Sequence, residues 1–495
     1  MSARPLLRPL LVLVLLSATA LLMMSSCGDD KRAKRRKKKR KQRVERAAKR
    51  QERAANQTTP APAKAPAASE QIASDAPNIL LISIDTLRAD ALPPYGSSRD
   101  TAPAIKAMAS EGVVFQRNWS QAPSTSPTHA SMFTGVYPSE HGVMGTSGRL
   151  PMRWYTLAEH FQASGARTWA SSSSVRFAHG VQLNQGFDSY DVFAKGSQPK
   201  KTGKALDVAL HAIAEEPERP WFGFVHLMDV HAPYDVPEPY QSRFLDGRKS
   251  TVDAATTVKF LHRNRQNVNG VTEQQLEDLK AMYDGGVSFV DTRIAAIWDA
   301  VRSLERPTII VITADHGEAF FERDYLGHGT FIYEPILRVP LIFWGPGIIP
   351  EGQHRATLAS SVDLFPTLTA LAGLPVPADL RGDDLSGVVK GQGELQGRSV
   401  VLQSGQFRGL VHERDDGLYK LEIRNRGRRT RVFALDDDPT ELNDLAESRP
   451  YLMEALQKEL AASRPGKNIP KGETWEMSDT ERQALEAIGY MDADH

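Results

Sequence analysis

Cysteine is nearly absent: the 495-residue chain contains one, Cys27. No intramolecular disulfide can form, and a cysteine-based metal cluster is excluded. Extended apolar runs are scarce as well. The one long segment, Leu10 to Met24, is short for a bilayer-spanning helix, and no internal repeat is present. Net charge is close to nil at +1, yet it is unevenly spread. Lys31 to Arg53 is almost unbroken Lys and Arg, relieved among acids only by Glu45 and Glu52, so the rest of the chain is net acidic by roughly a dozen charges. A net acidic body excludes general nucleic-acid binding, and no specific nucleic-acid motif is seen. The basic run reads as a solvated tail touching anionic surfaces.

What is present suits a soluble globular body: 41% hydrophobic and 24% charged residues can bury a sizeable core. Before that body, Arg4 and Arg8 precede the Leu10–Met24 run, and Ser25-Ser26-Cys27 follows it. A basic start, an apolar stretch of this length and small residues at its end form a secretory signal pattern. Met24-Ser25-Ser26-Cys27 resembles a bacterial lipoprotein processing site, which implies lipidation of Cys27 and a cell-envelope location with the catalytic body outside the cytoplasm. The dense positive charge after the apolar run also fits an uncleaved anchor whose tail stays inside. Residues 28–76 lack aromatics and pass from basic repeats to a Pro/Ala-rich stretch, as expected of a disordered or partly helical tether.

From residue 77 the texture is α/β. Asn78 to Asp85, Trp221 to Asp229 and Thr308 to His316 are apolar runs that end in acids, the pattern of buried parallel strands. Helical patterns lie between them at Tyr155–Ser164, Ala205–Glu215 and Glu273–Leu304, the last opened by a Thr272-Glu-Gln-Gln275 capping box. Leu341 to Trp344 reads as a further strand. After Pro377, Ser399–Gln403, Leu418–Arg424 and Arg431–Leu435 read as short antiparallel strands with a helix over Pro450–Ala462. The expected organisation is a signal at 1–27, a tether at 28–76, a catalytic domain at 77–377 and an antiparallel subdomain at 378–495.

In open α/β sheets ligands bind beyond the carboxyl ends of the strands, where Asp85, Asp229 and Asp315-His316 would converge. Ser124-Thr125-Ser126 offers hydroxyls just before a helical run, where backbone N–H groups suit an anionic ester. Asp85, Asp315, His316 and the Thr125 hydroxyl can make a hydrolytic metal site, and Asp229, His231 and His328 can make a second. One metal with two substrate-binding histidines is equally compatible. His141, His160, His179, His211 and His262 are read as background.

Several ordered motifs carry a family resemblance: Asn78-Ile-Leu-Leu-Ile-Ser-Ile-Asp-Thr-Leu-Arg-Ala-Asp90, the stretch from Ala122 to Gly142, His231-Ala-Pro-Tyr234, Ala314-Asp-His-Gly-Glu318, Gly327-His-Gly329, Asp438-Pro-Thr-Glu-Leu-Asn443 and Ala487-Ile-Gly-Tyr490. Together they resemble the sulfatase branch of the alkaline phosphatase superfamily, from residue 77 to the end. The resemblance implies an α/β sandwich with a central, largely parallel sheet flanked by helices and a smaller C-terminal antiparallel sheet. It implies an ester hydrolase using one or two divalent ions, Ca, Mn, Zn or Mg. By position, Asp85, Thr125, Asp315 and His316 match the metal-holding residues, Thr125 matches the nucleophile, and His231 and His328 match residues that contact the transferred group or a second metal; Asp229 accompanies them. Formylglycine sulfatases carry Cys or Ser at the position of Thr125 and Arg where this chain has His129, so no formylglycine is expected. A threonine there resembles the phosphoesterases and phosphoester transferases of the superfamily, and the substrate is an anionic phosphate or sulfate ester. Transfer to a second alcohol and a non-catalytic module binding anionic glycans or lipid headgroups are the competing functions; the single apolar segment favours hydrolysis over lipid-linked transfer.

Overall fold

Strands β1 (Asn78–Ile84), β2 (Val113–Phe115), β3 (Arg167–Ser172), β4 (Ser189–Val192), β5 (Trp221–Leu227), β6 (Thr308–Thr313), β7 (Leu341–Trp344) and β8 (Gln353–Arg355) form one sheet in the order β8-β2-β7-β6-β1-β5-β3-β4. All pair in parallel except β7, which runs antiparallel to β6 and β2. The computed structural model describes residues 71–145, 147–193, 202–215, 218–424, 429–463 and 472–487. The signal, Cys27, the basic run and the tether up to residue 70 lie outside them, as do Ile488 to Tyr490 of the terminal motif.

Both faces of the sheet are covered, which is why its central strands read as unbroken apolar runs. Every residue of β1, β5 and β6 is buried. Alternate side chains point to opposite faces. Ile79, Leu81, Ile309 and Val311 enter one core, and Leu80, Ile82, Ile310 and Ile312 enter the other. Helix α1 (Thr125–Thr134) contributes Ala130, Met132 and Phe133 to the first core. Helices α2 (Thr257–Asn264) and α3 (Glu273–Arg302) contribute Leu261, Leu279, Met282, Val290 and Ile294 to the second. The capping box expected at the start of α3 is formed: Thr272 Oγ1 accepts the Gln275 N–H at 3.1 Å and Gln275 Oε1 accepts the Thr272 N–H at 3.0 Å.

A second sheet, β9 (Ser399–Gln403), β10 (Phe407–Arg414), β11 (Gly417–Arg424) and β12 (Arg429–Ala434), is antiparallel throughout. The sequence pattern indicates three of these strands and leaves out β10. Helix α4 (Pro450–Ala462) lays Leu452, Leu456 and Leu460 against Val401, Leu410, Leu421 and Val432 on one face. The other face puts Val400, Leu402, Val411 and Phe433 against Trp119, Ile332 and Leu337. A buried ionic knot ties this seam. Lys420 Nζ lies 2.9 Å from Glu334 Oε1 and 2.6 Å from Glu441 Oε1, and Arg323 Nη1 lies 2.9 Å from Glu441 Oε2 and 3.2 Å from Glu422 Oε2. Burial opposes the Lys420 charge, but Glu334 and Glu441 outweigh it and hold the ammonium above its ordinary value. The described residues thus share one compact unit. Among them no helix is long and apolar enough to cross a membrane.

Candidate active site

The parallel strands β1, β5 and β6 lie side by side, so their carboxyl ends deliver side chains to one place. Asp85 follows β1 directly, and Asp315-His316 comes just after β6. His226 lies within β5, in register with Ser83 of β1 and Ser172 of β3. Asp85 Oδ2 approaches His226 Nε2 at 3.4 Å, Asp85 Oδ1 approaches His316 Nε2 at 3.8 Å, and Asp315 Oδ2 approaches His316 Nε2 at 3.5 Å.

The hydrogen bonds around these groups decide which atoms face inward. Asp315 Oδ1 accepts the His316 N–H at 2.8 Å and the Thr86 N–H at 3.3 Å. His316 Nδ1 donates to the Gly317 carbonyl at 3.0 Å, which leaves Nε2 as the lone-pair atom. His226 Nδ1 bonds Ser172 Oγ at 3.3 Å. Asp85 Oδ1, Asp315 Oδ2, His226 Nε2 and His316 Nε2 remain buried without a hydrogen-bond partner. Unpaired buried polar atoms cost about 1–3 kcal/mol each, and more when charged. Four together, two of them carboxylate oxygens, are hard to account for unless a cation joins them. Oxygen and nitrogen ligands of one small divalent ion in tetrahedral array sit roughly 3.4 Å apart, so the observed spacing fits. Two triads close to ligand distance among the described residues: Asp85, Asp315 and His316, and His129, His226 and Asp315. Burial disfavours the His316 imidazolium, but Asp315 and Asp85 outweigh it and raise its pKa, so the position itself favours positive charge.

Helix α1 begins at Thr125, with Ser124 in extended conformation as its N-cap, and every residue of the helix is buried. His129, one turn on, donates from Nδ1 to the Thr125 carbonyl at 2.8 Å, and its Nε2 accepts from Ser83 Oγ at 2.9 Å. The same Nδ1 lies 3.9 Å from Asp315 Oδ2, so the ring couples the start of the helix to the donor cluster. Phe177 packs edge-on to it with ring centroids 4.8 Å apart. Burial pushes the His129 imidazole down to about 3. His141, read from sequence as background, pins the same helix. Its Nδ1 accepts the Val143 N–H at 3.1 Å, and its Nε2 lies 3.0 Å from Ser131 Oγ.

His328 stands beside His316 with ring centroids 4.3 Å apart, and beside His231 at 5.1 Å. Gly327 and Gly329, both at φ +97°, let the chain fold closely around it. Its Nδ1 bonds Glu318 Oε1 at 2.9 Å, and Glu318 Oε2 accepts the Tyr234 hydroxyl at 3.2 Å. His231 Nδ1 donates to the Ala232 carbonyl at 2.6 Å. His328 is 9% exposed and Asp229 3%, with the other site residues more deeply buried. Asp229, His231 and His328 belong to neither triad. The structure therefore gathers Asp85, Asp315 and His316, couples Thr125 to them through His129, and sets His231 and His328 alongside. Sequence reasoning missed His226, although it is the only ionisable residue in the apolar run of β5.

A family model described as Sulfatase matches residues 77–374. The chain belongs to the sulfatase family. It is accordingly an ester hydrolase, on the fold that the sequence resemblance implies. A second model, N-sulphoglucosamine sulphohydrolase C-terminal, matches residues 325–465 and so covers the small sheet of this sulfatase. The sulfatase is 25% identical to the Delta 4,5-hexuronate-2-O-sulfatase of Bacteroides thetaiotaomicron over 67% of this chain and 75% of the relative. It is 26% identical to the choline-sulfatase of Rhizobium meliloti over 75% of this chain and 83% of the relative. Its fold matches the phosphonate monoester hydrolase of Agrobacterium radiobacter with a TM-score of 0.64 at 22% identity, covering 78% of this chain and 95% of that one. It matches BT1596, a 2-O GAG sulfatase, with a TM-score of 0.65 at 20% identity, covering 83% and 96%.

The buried histidines give this sulfatase a defined acid response. Burial lowers His129 to about 3, and His226 and His231 to about 4, each below the ordinary 6.5. Between those values the unfolded chain binds more protons than the folded one, so their contribution is fully present above pH ~6.5 and is lost as pH falls toward ~4. Differential scanning fluorimetry from pH 7.5 to 4 should show Tm falling from about pH 6.5 downward, before carboxylates of the unfolded chain titrate. A Tm that stays level down to pH ~5 contradicts the burial-driven shift.

Proposed function

We propose that this sulfatase-family member is a divalent-metal-dependent hydrolase of phosphate or sulfate esters that uses the Thr125 hydroxyl as its nucleophile and carries no formylglycine. The observation that carries the reading is the convergence of four unpartnered buried donor atoms, on Asp85, His226, Asp315 and His316, next to the helix that Thr125 opens. Those residues would hold the ion, with Thr125 completing the set. A bound divalent ion supplies Lewis acidity there, lowering the pKa of a coordinated hydroxyl and taking up charge on the ester oxygens.

The chain's own residues account for the rest. His129 holds the Thr125 carbonyl and so steadies the first turn of the helix that carries the hydroxyl. N–H groups at the start of α1 face an incoming anion. Thr125 Oγ1 gives up its proton and attacks the phosphorus or sulfur, a new O–P or O–S bond forms, and the bond to the ester oxygen breaks, that oxygen taking up a proton to leave as the alcohol. Water then cleaves the Thr125 ester and restores the hydroxyl. His231 and His328 are assigned to the oxygens of the transferred group or the proton of the leaving alcohol.

Thr125→Ala should lose activity by about a thousandfold or more on whichever of aryl phosphate monoester, phosphate diester or aryl sulfate is turned over, while elemental analysis finds the metal content largely kept. Full activity of metal-replete Thr125→Ala on every ester contradicts the assignment. Absence of a stoichiometric divalent ion from active wild type would contradict the metal dependence.

We also propose attachment to the cell envelope through a lipid on Cys27, with the basic tether holding the body away from the membrane. Radiolabelled fatty acid should mark the wild-type chain and not Cys27→Ala; equal labelling contradicts the anchor.

A further inference from the structure

Arg265 closes helix α2, whose Val258 and Leu261 are fixed in the core. Its carbonyl accepts the Leu326 N–H at 2.9 Å, which ties the end of the helix to the segment that carries His328. The side chain reaches the same segment. A Cβ built on Gly327 would lie 3.9 Å from Arg265 Nε and 3.7 Å from Glu318 Oε1, so guanidinium and carboxylate both approach the residue that precedes His328. That carboxylate is already engaged: Oε1 bonds His328 Nδ1 at 2.9 Å, and Oε2 accepts the Tyr234 hydroxyl at 3.2 Å. Burial above all, then the charges of His316, Arg265, Arg176 and His262, depress the His328 pKa, which puts Arg265 within electrostatic reach of that ring.

A cation at a helix C-terminus complements the helix dipole, and an arginine there usually lays its stem on apolar surface and keeps its head in water. That explains why a cation follows α2 but not how this one is placed. Arg265 is half-buried, and its Nε is withdrawn from water with no hydrogen-bond partner. Among the described residues no carboxylate lies within ion-pair distance of it. The buried cations of the seam behave differently: Arg323 and Lys420 each hold two carboxylates. Arg265 holds none, and a charge withdrawn from water without a counterion is one that an anionic ligand completes.

We propose that Arg265 is a substrate-binding residue of this site, its guanidinium holding a non-bridging oxygen of the transferred phosphoryl or sulfuryl group on the His328 side. A guanidinium presents its N–H groups as a planar fork and takes oxyanions through paired hydrogen bonds. It is charged at every working pH, so its attraction for the ester does not depend on the protonation of His231 or His328. The proposal rests on the reading of His328 as a neighbour of the reacting ester. The nucleophile assignment is tested by turnover of Thr125→Ala and stands or falls separately.

The test titrates inorganic phosphate and, in a second series, inorganic sulfate into metal-replete full-length protein by calorimetry, and sets kcat against KM on a small aryl ester. Arg265→Gln should weaken the tighter-bound of the two anions about tenfold or more and raise KM by a larger factor than it lowers kcat. Arg265→Lys should recover part of both, and added guanidinium ion, but not urea, should partly restore Arg265→Ala. Arg263→Gln removes the same charge from an exposed position two residues earlier and should match wild type in both readouts. Every variant should keep a Tm near that of wild type. Equal anion affinity in wild type and Arg265→Gln, an equal loss in Arg263→Gln, or a loss that follows Tm and that neither lysine nor guanidinium recovers would overturn the role of Arg265. His328→Gln should weaken the same anion; if it binds as wild type does while Arg265→Gln does not, the reading of His328 fails and the proposal with it.

Discussion

Two carboxylates and two imidazoles point their unpaired atoms at one another in a buried pocket. Asp85, Asp315, His226 and His316 each have their other polar atoms or backbone engaged elsewhere, most clearly Asp315, whose Oδ1 takes two backbone N–H groups while Oδ2 takes none. Such an arrangement is costly without a cation, because the charges are desolvated and the lone pairs unmatched. Asp315 and Asp85 raise the His316 pKa against the effect of burial, so the same crowding of carboxylates favours positive charge in the pocket. Much of the surrounding architecture can be understood as what holds these atoms in place.

The fold meets the demand by topology. Three adjacent parallel strands end at the same edge, and burial on both faces keeps them rigid. Helix α1 then arrives with Thr125 at its first position, its carbonyl held by His129 Nδ1, and with Ser131 further along the helix held by His141. Gly317 shows how tightly the parts meet: a Cβ there would lie 2.3 Å from the Pro335 carbonyl oxygen. Any larger residue would displace the turn that carries Asp315 and His316. The small sheet is not an appendage, since Lys420 and Arg323 share buried carboxylates with the main body.

Much of this was legible in the sequence because the signals are local. An apolar run ending in an acid marks a buried parallel strand, and β1, β5 and β6 all carry it. The caps of α3 and the repeat of Leu452, Leu456 and Leu460 in α4 are equally local. His226 was not legible, since a residue inside an apolar run reads as part of the strand and only the pairing with Ser83 shows where it faces. Asp229 shows the converse: it has the same strand-end signal as Asp85 but joins neither triad, because sequence places a residue at a sheet edge without aiming its side chain. Strand β10 contains Gly409, whose small size is set by the next strand of the sheet, where the Leu421 carbonyl lies 2.6 Å from where its Cβ would sit.

In the proposed reaction Thr125 attacks the ester and briefly carries the transferred group. Peptide mass spectrometry of wild-type protein, acid-quenched during turnover of its best aryl ester, tests this most directly. A threonine nucleophile should leave one phosphoryl or sulfuryl group on the Thr125 hydroxyl in the quenched sample and an unmodified threonine in resting enzyme. A quenched sample in which Thr125 stays unmodified while another side chain carries the group would contradict it.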